Sequence, residues 1–134
     1  SAVGHLVTRM ICVDTPLSPA TVARIAHVLS LSGVHDLRPL LRTPINDPVR
    51  LDAAEAAAES PVLKAPLPGV PVTCWVGAGE RAEFLRQNAL LANIWRGLGS
   101  WTAEVAEPDR HHFDVVDGLT RPGSPLTHAL LREF

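Results

Sequence analysis

The chain has 134 residues, of which 46% are hydrophobic, and a formal net charge of −2. This length corresponds to one domain, and the apolar fraction is sufficient for a buried core. The sequence contains no basic stripe that would bind nucleic acid, and no apolar run near the roughly 20 residues that a membrane helix needs. Its two cysteines, Cys12 and Cys74, favour a reduced, cytoplasmic protein without disulfides or a metal site.

The first half of the chain predicts short helices around one buried strand. Helices are predicted over residues 2–12, 36–41 and 51–59. The apolar run 25–31 is typical of a buried strand, which Ser32 and Gly33 end. Twelve prolines punctuate the chain and cluster between residues 39 and 71, so this stretch is expected to hold loops and short helices and no sheet.

The second half alternates strands with helices. Strands are predicted over 71–76 and 101–105, a long amphipathic helix over 81–98, and closing helices over 113–119 and 125–132. The long helix has six candidate core residues: Phe84, Leu85, Leu91, Ile94, Trp95 and Leu98. Trp75 and Trp101 are expected in the core as well. Because strands that alternate with helices pair in parallel, the expected fold class is α/β, a parallel sheet of three strands with flanking helices.

Three side chains with catalytic chemistry are predicted at one edge of this sheet. Glu80 follows the strand 71–76, and His112 lies a few residues past the strand 101–105. Ser1 stands at the entry to the first helix. Functional residues of open α/β sheets lie beyond the carboxyl ends of the strands, so these groups are expected to converge. In chain order they read serine, acid, histidine, the order of the triad in α/β-hydrolases.

This order assigns a role to each residue. The hydroxyl of Ser1 would attack an acyl carbon, while His112 would take its proton and later donate it to the leaving group. Glu80 would orient the imidazole and stabilise its positive charge. The backbone N–H of Ala2 would bind the oxyanion, since that role falls to the residue after the nucleophile. Such a mechanism needs no metal or organic cofactor.

Alternatives remain open for each of these residues. Ser1 is alternatively a residue without a catalytic role that is simply the first in the chain. Glu80 is alternatively an acid that the helix dipole favours at the start of a helix. Asp109 and Asp114 are rival acids, and His111 is the rival base. A metal site at the histidine pair lacks a partner at ligand spacing. The other histidines are expected to be structural or on the surface: His5, His27, His35 and His128.

Several segments together resemble the kynurenine formamidase branch of the α/β-hydrolases, close to its bacterial esterase-like members. Residues 1–6 (Ser-Ala-Val-Gly-His-Leu) resemble the segment that follows Gly-His in the nucleophile elbow of the family. Residues 29–40 resemble a strand and the substrate-side loop after it, where Asp36 is either a pocket residue or a solvated loop acid. Residues 76–84 resemble the loop of the catalytic acid, and 112–113 the His-Phe of the catalytic base.

One residue departs from the pattern of this family. Val3 occupies the place of the second glycine of the elbow, and its branched side chain is expected to crowd that turn. The resemblance also implies that residues 1–134 form the C-terminal part of a single α/β-hydrolase domain, from the nucleophile helix onward. The upstream half, with five strands and the oxyanion segment, is then absent from this chain and becomes its expected partner.

The implied reaction is hydrolysis of an aryl formamide, such as N-formylkynurenine, through an acyl-enzyme. A small-ester carboxylesterase of the same fold is the first alternative. A second is a non-catalytic fragment that packs with a partner segment. The third is an N-terminal-nucleophile hydrolase in which the amine of Ser1 is its own base, but parallel β-α alternation does not suggest that architecture. A homodimer is also left open.

Overall fold

A three-stranded parallel sheet forms the centre of the computed structural model, which describes residues 1–132. Its strands are β1 (Val28–Leu31), β2 (Val72–Gly77) and β3 (Thr102–Glu107), in the order β1-β2-β3. All residues of the central strand β2 are buried, as expected where both faces of a parallel sheet are covered. The predicted α/β fold class with three parallel strands is therefore confirmed.

Short helices account for most of the remaining regular structure. The α-helices are α1 (Ala2–Arg9), α2 (Pro19–Val22), α3 (Asn46–Val49), α4 (Ala53–Ala58), α5 (Ala82–Gly97) and α6 (Pro125–Leu131). Three 3₁₀ helices span Arg38–Arg42, Pro61–Leu63 and Val115–Thr120. The proline-rich stretch thus contains short helices and no strand of the sheet, as predicted. Within residues 1–132 no helix combines the length and apolarity that crossing a bilayer requires.

The predicted start of β1 at residue 25 is wrong by three residues. Ser18 caps α2 by accepting a hydrogen bond from the N–H of Thr21, and Pro19 occupies the first helical position. The turn then continues until the N–H of Ile25 bonds to the carbonyl of Val22 at 3.0 Å. Residue 25 therefore belongs to this turn, and the strand begins at Val28.

Each face of the sheet has its own core. One face packs against α1 and α5 through a cluster that includes Val72, Leu91 and Trp95. The other face carries a smaller cluster of Trp75, Val115 and Leu126, which belong to β2, a 3₁₀ helix and α6. Both cysteines are buried and form no disulfide.

Two residues that were predicted in the core are exposed. Leu98 is 56% exposed because it follows the last packed turn of α5 as its C-cap residue. Trp101 is 50% exposed, and its ring lies 5.4 Å from the guanidinium of Arg132. Two polar residues of α5 that were not predicted in the core, Gln87 and Asn88, are buried. Gln87 is buried because its side chain bonds to the backbone of the loop that follows β1.

Candidate active site

Each strand of the sheet is followed by a polar residue of the candidate site. Ser32 follows β1, Glu80 lies three residues after β2, and His112 comes five residues after β3. Because the strands are parallel, these three positions share the edge where the carboxyl ends meet. Ser1 reaches the same edge as the N-cap residue of α1, which packs against β1.

Glu80 and His112 are joined by a short hydrogen bond. Nδ1 of His112 lies 2.6 Å from Oε1 of Glu80, whose side chain is fully buried with 0% exposure. The other oxygen of Glu80 accepts the hydroxyl of Ser32 at 2.6 Å and the N–H of Gly77 at 2.7 Å. When Glu80 is ionised it only accepts hydrogen bonds, and Nδ1 of His112 then carries the proton. Nε2 is then the ring nitrogen that can take a proton from a nucleophile.

The absence of a side chain at Gly77 allows the loop of His112 to approach this carboxylate. A Cβ atom at Gly77 would lie 2.5 Å from the carbonyl oxygen of Arg110, which is closer than such atoms tolerate. The loop is held there by backbone hydrogen bonds from Ala78 to Glu107 at 2.8 Å and from Gly79 to Arg110 at 2.9 Å. The turn after β2 and the loop after β3 are therefore fixed against each other.

Two phenylalanines set the orientation of the imidazole. The ring of Phe84 lies with its centroid 4.5 Å from that of His112 at an interplanar angle of 33°. Phe113 meets the same ring edge-on, at 5.4 Å and 89°. Phe84 lies in the first turn of α5, so this turn limits the rotation of His112.

Ser1 and His112 line one cleft of about 430 Å³. Among residues 1–132, the hydroxyl of Ser1 makes no hydrogen bond that caps α1. The N–H groups of the first turn of a helix, here those of Ala2, Val3 and Gly4, have no acceptor within the helix. The cleft therefore combines a hydroxyl, an imidazole and backbone donors. The catalytic roles of Ser1, Ala2, Glu80 and His112 remain predictions.

Comparisons with known proteins identify relatives of this chain among hydrolases. No protein-family model matches the chain. The kynurenine formamidases of Danio rerio and Salmo salar are 27% and 26% identical over 98% of the chain, which covers 46% and 47% of their lengths. A candidate thioesterase from a Silicibacter species superimposes with a TM-score of 0.85 at 40% identity, over 96% of this chain and 47% of that one. The chain therefore shares an α/β-hydrolase fold with this structure.

A further solved structure shows the same fold at greater distance. The propionate-bound esterase of Thermogutta terrifontis has a TM-score of 0.55 at 20% identity, over 96% of this chain and 48% of that one. The chain thus spans about half the length of the relatives that it matches.

The rival residues of the candidate triad are exposed or bonded to each other. His111 is 60% exposed at its side chain, and its Nε2 lies 3.3 Å from Asp114, which also accepts the N–H of His111 at 2.7 Å. Asp109 is exposed in a turn, with a φ of +60°. The acid that contacts His112 within residues 1–132 is therefore Glu80.

The constraint at the start of α1 falls on Gly4. A Cβ atom there would lie 2.6 Å from Cα of Gly33, so this glycine lets α1 approach the loop after β1. Val3 is 72% exposed and lines the cleft. The crowding that Val3 is expected to cause in the nucleophile elbow stays a prediction.

Sequence reasoning did not assign the contacts of two residues at this site. Ser32 was interpreted as the end of a strand, and Phe84 as a core residue in the segment of the catalytic acid, without a contact to Glu80 or His112. Asp36 is 3% exposed and bonds to Nε of Arg38 at 2.8 Å, so its interpretation as a solvated loop acid is wrong. Hydrogen bonds from the guanidinium and the backbone N–H of Arg38 lower the pKa of Asp36. No local sequence signal distinguishes such contacts, because Ser32 and Phe84 act on residues far away in the chain.

Proposed function

We propose that this chain is the C-terminal part of a serine hydrolase whose upstream half completes the same domain. Ser1 is the nucleophile, Glu80 the acid and His112 the base. The observation that carries the proposal is the 2.6 Å hydrogen bond between the buried carboxylate of Glu80 and His112, at a cleft that Ser1 also lines. This combination fits the acid–base pair of a triad, in which the acid fixes the tautomer of the histidine.

The reaction proceeds in two transfers of the acyl group. Nε2 of His112 takes the proton of the Ser1 hydroxyl as its oxygen attacks the carbonyl carbon. The N–H of Ala2 stabilises the oxyanion, and His112 then protonates the leaving amine or alcohol as its bond to the acyl carbon breaks. Water, deprotonated by His112, attacks the acyl-enzyme, and His112 returns this proton to the Ser1 oxygen as its bond to the acyl carbon breaks and the acid is released. Glu80 stays ionised throughout and balances the imidazolium charge.

The substrate that we favour is an aryl formamide, which yields an aryl amine and formate. The names of the Danio rerio and Salmo salar relatives support this class. A second pocket of about 190 Å³ adds support, because Phe84 lines it together with Pro39, Leu40 and Ile45. An apolar cavity of about 150 Å³ is known to accept benzene, so this pocket has room for one aromatic ring. Its link to the cleft is Phe84, whose ring stacks on His112.

Hydrolysis of a small ester or thioester is the second candidate. Solved structures named as an esterase and a candidate thioesterase resemble the chain, and the same acyl transfer serves all three substrate types. A side-by-side assay separates the candidates. The kcat/KM for an aryl formamide should be higher than for short esters, thioesters or long-chain esters. A preference for esters or thioesters would remove the formamidase assignment and keep the hydrolase.

A fluorophosphonate probe tests the nucleophile directly. In the full-length protein it should label Ser1, and Ser1→Ala should abolish both labelling and turnover. Ser18→Ala is the matched control, because this exposed serine caps α2 away from the cleft and should leave both unchanged. Labelling that persists in Ser1→Ala would contradict the proposed mechanism.

A further inference from the structure

Ser32 has an unusual backbone conformation at the carboxyl end of β1. Its φ is +50°, in the left-handed region that residues other than glycine adopt rarely and at a cost. The residue is only 3% exposed, and its N–H donates to the carbonyl of Trp75 at 2.8 Å, one residue beyond the β1–β2 ladder. A strained conformation persists where the surrounding structure fixes it, and such residues cluster at functional sites.

The hydroxyl of Ser32 is directed at the carboxylate of Glu80. It donates to Oε2 at 2.6 Å, and the N–H of Gly77 donates to the same oxygen at 2.7 Å. Oε1 is left to His112 at 2.6 Å. The two oxygens of Glu80 are thus divided, with one anchored by two donors and the other bonded to the imidazole.

We propose that Ser32 is a positioning residue of this site, which acts on His112 through Glu80. The inference rests on the proposed function, because it assumes that Glu80 and His112 perform acyl transfer. Hydrogen bonds to a charged group are among the stronger ones, and a buried carboxylate held at one oxygen cannot rotate away from its partner. Ser32 therefore keeps Oε1 aligned with Nδ1 while the charge on His112 changes.

Two substitutions in the full-length protein separate the hydroxyl from the backbone. Ser32→Ala removes the donor and keeps the strain, whereas Ser32→Gly removes the donor and accepts the left-handed φ at no steric cost. Both should lower kcat about tenfold to a hundredfold, with KM nearly unchanged. Their unfolding temperatures should differ, with Ser32→Gly the more stable. Parental kcat in Ser32→Gly would overturn the proposal, because the strain alone would then explain any loss in Ser32→Ala.

A double-mutant comparison tests whether Ser32 acts through Glu80. In a Glu80→Ala background the hydroxyl has no carboxylate to hold, so Ser32→Gly should change kcat by less than about threefold. A loss there as large as in the parent would overturn the proposal. Ser124→Ala is the matched control, because this buried hydroxyl caps α6 outside the cleft. It should lower the unfolding temperature and leave kcat unchanged.

Proton NMR supplies a readout that needs no catalysis. The Nδ1 proton of His112, identified by ¹⁵N-histidine labelling, should resonate far downfield because its hydrogen bond to Glu80 is short. In Ser32→Gly this resonance should move upfield or broaden, while Ser124→Ala should leave it in place. An unmoved resonance in Ser32→Gly would overturn the inference. Loss of the hydrolase assignment alone would instead appear as absent turnover with the NMR response intact.

Discussion

Acid pH should destabilise the fold beneath the candidate site through His35. This side chain is fully buried, with Nδ1 3.1 Å from the hydroxyl of Thr8 and Nε2 3.2 Å from the hydroxyl of Ser30. Burial, with a smaller contribution from the charge of His5, lowers the pKa of His35 from 6.5 to about 3. The ring also contacts Gly33, so it supports the loop that holds Ser32.

The size of the effect follows from the difference in proton binding. At pH values between 6.5 and about 3, the unfolded chain binds a proton at His35 that the folded chain does not. The stabilising contribution is therefore fully present above pH 6.5 and is lost as the pH falls towards the folded pKa. One pKa unit corresponds to about 1.4 kcal/mol, so lowering the pH from about 7 to 4.5 should cost roughly 2–3 kcal/mol of unfolding free energy.

Urea unfolding at a series of pH values measures this slope. His35→Gln should lower stability at neutral pH and flatten the slope between about pH 6.5 and 4.5. His27→Gln is the comparison, because partial burial lowers the pKa of His27 by less, and it should remove a smaller part of the slope. The pKa of Asp14 is lowered to about 2 by Lys64 and Arg9, so its contribution is lost only at lower pH. If the unfolding free energy of His35→Gln depended on pH as steeply as that of the parent, the reasoning would be refuted.

Three further predictions concern the site and its surroundings. His112→Ala in the full-length protein should lower kcat by several orders of magnitude, whereas His111→Ala should cost far less, and the reverse ranking would contradict the assignment of the base. Residues 1–134 alone should show no serine-dependent hydrolysis when they are assayed next to a version extended upstream. They would lack the upstream oxyanion donor, and one such donor is worth about 3 kcal/mol of transition-state stabilisation. Gly4→Ala should cost about 1–3 kcal/mol of unfolding free energy, since its Cβ would lie 2.6 Å from the backbone of Gly33; an unchanged urea midpoint would refute the close packing of α1.

Sequence reasoning succeeded where a signal is local. The apolar run of β2 predicted a buried strand, and the position of Glu80 after it predicted the edge at which this acid lies. It failed where a residue depends on distant partners. Ser32 bonds to Trp75 in β2 and to Glu80, and the exposed ring of Trp101 contacts Arg132 from the end of the described chain. The same limit applies to Phe84, whose contact with His112 forms only after α5 folds onto the sheet.

Under the proposed function, different segments of the chain carry the proton-transfer pair and one wall of the proposed substrate pocket. Glu80 and His112 lie after adjacent strands that a single helix, α5, connects, so their spacing is set within one compact unit. The segment between Arg38 and Leu63, made of short helices and loops, contributes Pro39, Leu40 and Ile45 to the pocket beside Phe84. Insertions or substitutions in that segment can reshape the pocket while the proton-transfer pair keeps its geometry. The region is therefore the natural place for directed evolution of specificity.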